Sequence, residues 1–303
     1  MPNERRRPLM RIGCTPARGI LTAALIIIVA VQLSTAEKIR DEIPDNPRKW
    51  VETGQSKHQF TWVKYLLFIP KDYGDTEKEY PCILHLHGAG QKGDNVNALR
   101  AVGLPAQLAG KKRPDFPFIV ISPQLPGPRG FQIPYALDRG LWYYDEFLEQ
   151  VDRLIDHVVE NYAVDESRIY CVGASMGGYG TWKMAVKYPD RFAAIAPLCG
   201  EGNPDEVCQV KHIPTWVYHC EGDEVMPVKG SDEMVEALKA CGGKVEYVRP
   251  DGGDHMKCWS NQFEDLYPWL LTHQKSAAPS AAPSYEPSYE PAPPADVGED
   301  YTE

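Results

Sequence analysis

The stretch Val172-Gly173-Ala174-Ser175-Met176-Gly177-Gly178-Tyr179-Gly180 restricts the fold more than any other part of the chain. It carries a G-x-S-x-G pattern between an apolar run, Arg168 to Val172, and a run of helical character, Thr181 to Tyr188. A serine so placed is expected on a sharp turn from strand to helix, in strained backbone geometry. Gly173 and Gly177 are needed because a Cβ at either position would clash where the strand end and the helix start nearly touch. The turn lifts Ser175 Oγ clear of the sheet and aims the first N–H groups of the helix at the group the hydroxyl would attack.

The rest of the chain alternates between short apolar runs and helical spacing. Strands are expected at Tyr65 to Ile69, Pro81 to His87, Phe118 to Ser122, Arg168 to Val172, Phe192 to Leu198, Pro214 to His219 and Lys244 to Val248. Phe147, Leu148, Val151, Leu154, Ile155, Val158, Val159 and Tyr162 recur at helical spacing and give one amphipathic helix. Further helices are expected near Asn97 to Ala109, from Ser231 to Ala240 and from Asn261 to His273. Strands alternating with helices imply a mostly parallel central sheet covered by helices on both faces, an α/β fold. The Pro- and Gly-rich stretch Pro123 to Gly140 reads as a loop. Trp142, Tyr143 and Tyr144 behind it would either line an aromatic pocket or pack the helix that follows.

The ends are of a different kind. Arg5, Arg6, Arg7, Arg11 and Arg18 precede or flank the apolar run Gly19 to Leu33, and Ser34-Thr35-Ala36 offers small residues for cleavage. Residues 1–36 are therefore expected to be a signal peptide, with membrane anchoring as the alternative if it stays uncleaved. Arg6-Arg7-Pro8-Leu9-Met10-Arg11 also resembles a twin-arginine signal. The protein is expected to be secreted or periplasmic. Residues 37–58 are polar and read as an N-terminal arm, 59–273 as the catalytic domain, and 274–303, rich in Ala, Pro and Ser, as a disordered tail. The net charge is −10 over the whole chain and more negative without the basic leader. That balance argues against nucleic acid as a partner.

Of eight cysteines, Cys14 would leave with the leader. Cys82 and Cys171 lie in apolar strands and are expected to be inert core residues. Cys199, Cys208, Cys220 and Cys258 are the expected bridge formers, with partners the sequence cannot assign. No zinc spacing of the C-x-x-C kind is present, and no third ligand accompanies His85 and His87, so neither metal nor cofactor is expected.

A serine hydroxyl needs a base, and the base needs a carboxylate to fix its tautomer. After Ser175, Asp223 follows a strand in Glu221-Gly222-Asp223-Glu224, with Glu221 and Glu224 as lesser alternatives. His255, in Gly252-Gly253-Asp254-His255, is the histidine between the last strand and the closing helix. Ser175, Asp223 and His255 are the expected catalytic set. The backbone N–H groups of Met176 and of Ala89, in His87-Gly88-Ala89-Gly90, are the expected oxyanion donors, with Gly88 or Gly90 in place of Ala89 as alternatives. His58, His157, His212 and His273 read as surface or cap residues.

These motifs carry a resemblance. His87-Gly88-Ala89-Gly90 with Lys92-Gly93-Asp94-Asn95, Ile121-Ser122-Pro123-Gln124, Val164-Asp165 with Arg168-Ile169-Tyr170, and Gly173 through Trp182 resemble the secreted carboxylesterases of the dienelactone hydrolase and prolyl oligopeptidase-like branch of α/β-hydrolases. Tyr188 to Ala194, Asp223 before Val225-Met226-Pro227 and His255 before Trp259 continue the likeness, which covers roughly residues 60–271. It implies a cofactor-free serine esterase acting on small-molecule or polymer-attached esters, of phospholipase/carboxylesterase, feruloyl esterase-like or polyhydroxybutyrate depolymerase-like kind. A serine peptidase of the prolyl oligopeptidase-like type and a non-catalytic binding module on the same scaffold are the alternatives. Two departures stand out: Glu224-Val225-Met226 after the acid is less apolar than usual, and Asp254 stands where a small residue usually precedes the base, so that its charge could act on His255 if the two approach.

Overall fold

Continuous apolar runs become the inner strands. In the computed structural model, which describes residues 55–74, 77–109, 113, 115–127, 141–260 and 263–275, strands β3 (Tyr80–Leu86) and β4 (Ile119–Gln124) are buried along their whole length. With β1 (Gln55–Phe60), β2 (Val63–Phe68), β5 (Val164–Ala174), β6 (Ala194–Leu198), β7 (Thr215–Tyr218) and β8 (Val245–Val248) they form a sheet of order β1-β2-β4-β3-β5-β6-β7-β8. β1 and β2 are antiparallel, β2 runs antiparallel to β4, and all other pairs are parallel. The mostly parallel sheet agrees with the expected fold. The expected signal peptide, residues 37–54 of the arm and the tail beyond Lys275 lie outside the described residues.

Helices cover both faces, because successive side chains on an inner strand point opposite ways and both sets are apolar. On one face, Cys82, Leu84, Leu86 and Ile169 pack with α2 (Asp145–Asn161), α3 (Met176–Lys187) and α4 (Lys229–Ala240). On the other, Ile83, Val120, Tyr170 and Val172 pack with α1 (Gly103–Leu108) and α6 (Phe263–Leu271). The expected stripe on α2 is observed: Leu148, Val151, Leu154, Ile155 and Val158 are buried.

Several boundaries differ from the sequence reading. The first strand is half of a hairpin turning at Thr61, whose φ is +52°, and β1 begins inside the expected arm. The helix expected near 97–109 is a 3-10 segment, Val96–Ala101, followed by the short α1; Gly103, at φ +68°, breaks the run. The closing helix expected from Asn261 to His273 is α6, and a further short helix, α5 (His255–Ser260), stands where a loop was expected.

The cysteine expectations need correction. Cys208 is bridged to Cys241, with 5.8 Å between Cα atoms, tying the 3-10 segment Val207–Val210 to the end of α4. Cys199, Cys220 and Cys258 are buried free thiols, as are Cys82 and Cys171. Burial pushes the Cys82 and Cys171 thiols up to about 12, consistent with inert core residues.

Candidate active site

The C-terminal ends of β3, β5, β6, β7 and β8 deliver the chain to one edge of the sheet, where parallel α/β folds place their ligands. Ser175 stands between β5 and α3 with φ +58° and ψ −121°. That conformation is costly for a residue with a side chain, and the surroundings enforce it. Ser175 N donates to Leu198 O at 2.9 Å, and Tyr179 N donates to Ser175 O at 3.0 Å. Room is equally restricted: a Cβ on Gly173 would stand 2.2 Å from Gly177 O, and one on Gly177 would stand 1.9 Å from Leu86 O. The two glycines are thus required by contact, as the motif suggested.

His255 lies between the hydroxyl and the acid. Its Nδ1–H donates to Asp223 Oδ2 at 2.6 Å, and its Nε2 is 3.0 Å from Ser175 Oγ. The carboxylate can only accept, so Nδ1 carries the hydrogen and Nε2 of the neutral ring is left to accept from the serine. Asp223 Oδ1 accepts from Val225 N at 3.0 Å and Met226 N at 2.8 Å. Burial alone would raise this carboxyl, but the hydrogen bonds from His219, His255 and the Met226 N–H outweigh it and hold Asp223 well below its ordinary value. The two alternatives stand elsewhere: Glu221 pairs with Arg249 at 2.8 Å, and Glu224 is exposed.

His255 opens α5 and is not a loop residue. Asp254, its neighbour, caps that helix: Oδ1 accepts from Lys257 N at 2.8 Å, and its carbonyl accepts from Cys258 N at 3.1 Å.

The oxyanion candidates also meet at this edge. Met176 is the first residue of α3. Ala89 opens a short 3-10 turn after Gly88, and a Cβ on Gly88 would lie 3.8 Å from Ser175 Cβ, so this loop passes directly over the serine. Leu125 N donates to His87 Nε2 at 3.0 Å, which leaves Nδ1–H to donate to Gly88 O at 2.7 Å. Burial lowers His87 to about 4, so its ring stays neutral in that tautomer. Trp142 Nε1–H donates to His87 O at 3.0 Å from a fully buried position, which decides between the two readings of its segment: Trp142 packs, while Tyr143 and Tyr144 are about half exposed. Tyr143 stacks on Tyr179 with ring centroids 5.3 Å apart.

One residue of this site has no sequence signal. His219, buried at the end of β7, donates from Nε2 to Met226 O at 2.8 Å and faces Asp223 Oδ2 at 3.4 Å. Its Nδ1 is 2.7 Å from Ser231 Oγ. It closes the turn that folds two amides onto the acid.

Known proteins are similar to this chain in sequence and in fold. "Probable feruloyl esterase C" of Aspergillus niger is 24% identical over 71% of this chain and 75% of its own. "Dipeptidyl-peptidase 5" of Porphyromonas gingivalis is 28% identical over 50% of this chain, a match spanning 21% of that relative's length. The crystal structure of a thermostable esterase superposes with a TM-score of 0.63 at 30% identity, covering 75% of this chain and 64% of that one. The family model Esterase, described as "Putative esterase", matches residues 61–281, a segment that contains β2 to β8, the elbow, Asp223 and His255. The chain therefore belongs to that esterase family, on an α/β-hydrolase fold.

Proposed function

We propose that this protein hydrolyses carboxylic esters through an acyl-enzyme. The supporting observation is the continuous contact from Ser175 Oγ through His255 to Asp223, at 3.0 and 2.6 Å. Ser175 Oγ attacks the ester carbonyl while His255 Nε2 takes its proton, and His255 returns that proton to the departing alkoxide. Water, deprotonated by the same nitrogen, then cleaves the acyl-serine and regenerates the hydroxyl. Asp223 holds the ring in the Nδ1–H tautomer and stabilises its charged form. The N–H groups of Met176 and Ala89 receive the developing oxyanion, a contribution worth about 10²- to 10³-fold per donor.

The substrate class is a small-molecule or polymer-attached ester, and hydroxycinnamate esters are the first to test given the feruloyl esterase relative. A peptidase is the second reading, prompted by the dipeptidyl-peptidase match. Fluorophosphonate labelling with peptide mapping tests the nucleophile: one adduct on Ser175, absent in His255→Ala, is expected. Ser175→Ala should lose roughly 10⁴-fold or more in ester turnover. Wild-type turnover in that variant would refute the mechanism, and a folded protein that takes no adduct would favour a binding module. Faster cleavage of aminoacyl anilides than of matched esters would favour the peptidase.

A further inference from the structure

Behind the acid, three sulfur atoms converge from three separate segments. Cys199 follows β6, Cys220 follows β7 three residues before Asp223, and Cys258 lies one turn along α5 from His255. The sulfurs of Cys199 and Cys258 and a carboxylate oxygen of Asp223 all lie within 4.8 Å of one another, and all three residues are buried. Cys258 Sγ also accepts from Cys220 N at 2.6 Å, and the Cys220 side chain is hydrogen-bonded to Cys258. A buried cysteine is usually a small apolar filler, as Cys82 and Cys171 are here. The carboxylate within ligand distance distinguishes this cluster from those two.

The spacing suits a soft divalent cation. Around a tetrahedral ion with sulfur about 2.3 Å and oxygen about 2.0 Å away, ligand atoms stand roughly 3.5–3.8 Å apart. These three donors would need to draw in by about 1 Å or less. The segment that must give is short: α5 has six residues and follows Gly252 and Gly253, at φ +67° and +79°. Every oxygen of Asp223 is already engaged, Oδ2 with His255 and Oδ1 with two backbone amides. An ion on Oδ2 would therefore compete with the base directly, and an ion on Oδ1 would displace the amides that hold the carboxylate against it.

We propose that Cys199 and Cys258, with Asp223, form an inhibitory site for a soft divalent cation of the zinc and cadmium class, whose binding takes the acid from His255. Binding expels one proton from each thiol and leaves two thiolates and one carboxylate around the ion. The inference rests on the triad reading for its inhibitory effect alone.

Cadmium chloride is the probe, added to the full-length protein and to its Ser175→Ala, Cys199→Ser and Cys258→Ser variants. The ultraviolet thiolate-to-cadmium absorption should appear in the wild type and in Ser175→Ala, with the low-field proton signal of His255 Nδ1–H lost at the same stoichiometry. Ester turnover should fall together with these signals and recover on chelation. Each cysteine variant, compared with its own metal-free rate, should need at least about tenfold more cadmium for half-inhibition. No thiolate absorption, or equal inhibition in both cysteine variants, would overturn the site. Absorption without loss of turnover in an active enzyme would overturn its inhibitory role. If the wild type turns over no ester, absorption and proton signal still decide the site, and the esterase reading alone has failed.

Discussion

Around Ser175 the backbone is fixed by contact, whereas around Asp223 it is fixed by hydrogen bonds. At the elbow, β3, β5 and α3 approach so closely that a Cβ on Gly177 would sit inside the carbonyl of Leu86, at 1.9 Å. At the acid, His219, two backbone amides and Ser231 hold a turn from outside, and the base arrives on a helix of six residues. Contact tolerates nothing larger than hydrogen, a limit that the acid turn meets at Gly222, where a Cβ would lie 2.6 Å from Gly253 O, while its hydrogen-bonded positions tolerate substitutions that keep their donors. The first half should therefore fail abruptly on mutation and the second by degrees.

Gly177→Ala carries the largest effect. No side-chain rotation relieves a clash with backbone, so the variant should lose at least about 3 kcal/mol of stability together with its ester turnover. Gly90, where a Cβ would meet nothing within 4 Å, is the matched control: Gly90→Ala should melt at the wild-type temperature. Similar melting of all three proteins would break the comparison.

His219→Leu, whose side chain has no donor, tests the other half. Losing the donor that faces Asp223 should lower kcat by roughly 10- to 100-fold with KM little changed. A carboxylate with one donor fewer is more basic and holds the proton on His255 more firmly, so the acidic limb of the rate profile should move to higher pH. The stability effect has a defined sign. The depressed Asp223 contributes stability that is complete above its ordinary value of 3.8 and is lost as pH falls through the depressed one. The variant should be less stable than the wild type near neutrality, and the difference should close in strong acid. An unmoved rate profile would reduce His219 to a packing residue.

Trp142→Phe keeps an aromatic ring but removes the N–H held by His87 O, together with part of the indole volume. A buried carbonyl left without that donor costs about 1–3 kcal/mol, and a looser Gly88–Ala89 turn should lower ester turnover about tenfold. A variant that loses stability but keeps full turnover would separate this tryptophan from the oxyanion loop.

What could be read from the chain follows the same division. Contact between backbones demands glycine, and glycine at fixed spacing is visible in sequence, so Ser175 and its turn were legible. So were the inner strands, whose apolar runs are continuous because both faces of the sheet are covered. Hydrogen bonds between distant residues leave no spacing to read. Nothing in the chain order joins Trp142 to His87, or Ser231 to His219, and His219 passes for the end of a strand. The cysteines show the same limit: Cys208 meets Cys241 across a surface helix, while the cysteines at strand ends and in α5 are drawn into the core. The hairpin was missed where a turn residue, not periodicity, sets the boundary, and α5 was missed because it follows Gly252-Gly253 in a stretch that reads as a loop.

Asp254 gives the smallest effect and the sharpest test of how the base is held. From sequence, a charge beside His255 suggested an electrostatic role. Its carboxylate instead caps α5 through Lys257 N, which a neutral amide oxygen can do as well. Asp254→Asn should therefore keep both the stability and the acidic limb of the rate profile, whereas Asp254→Ala should lose about 1 kcal/mol and a few-fold in kcat as the first turn of α5 loosens under His255. If Asn and Ala behave alike and both move the acidic limb, the charge acts on the base directly, and the acid half of the site is governed by electrostatics as well as by the hydrogen bonds that hold its turn.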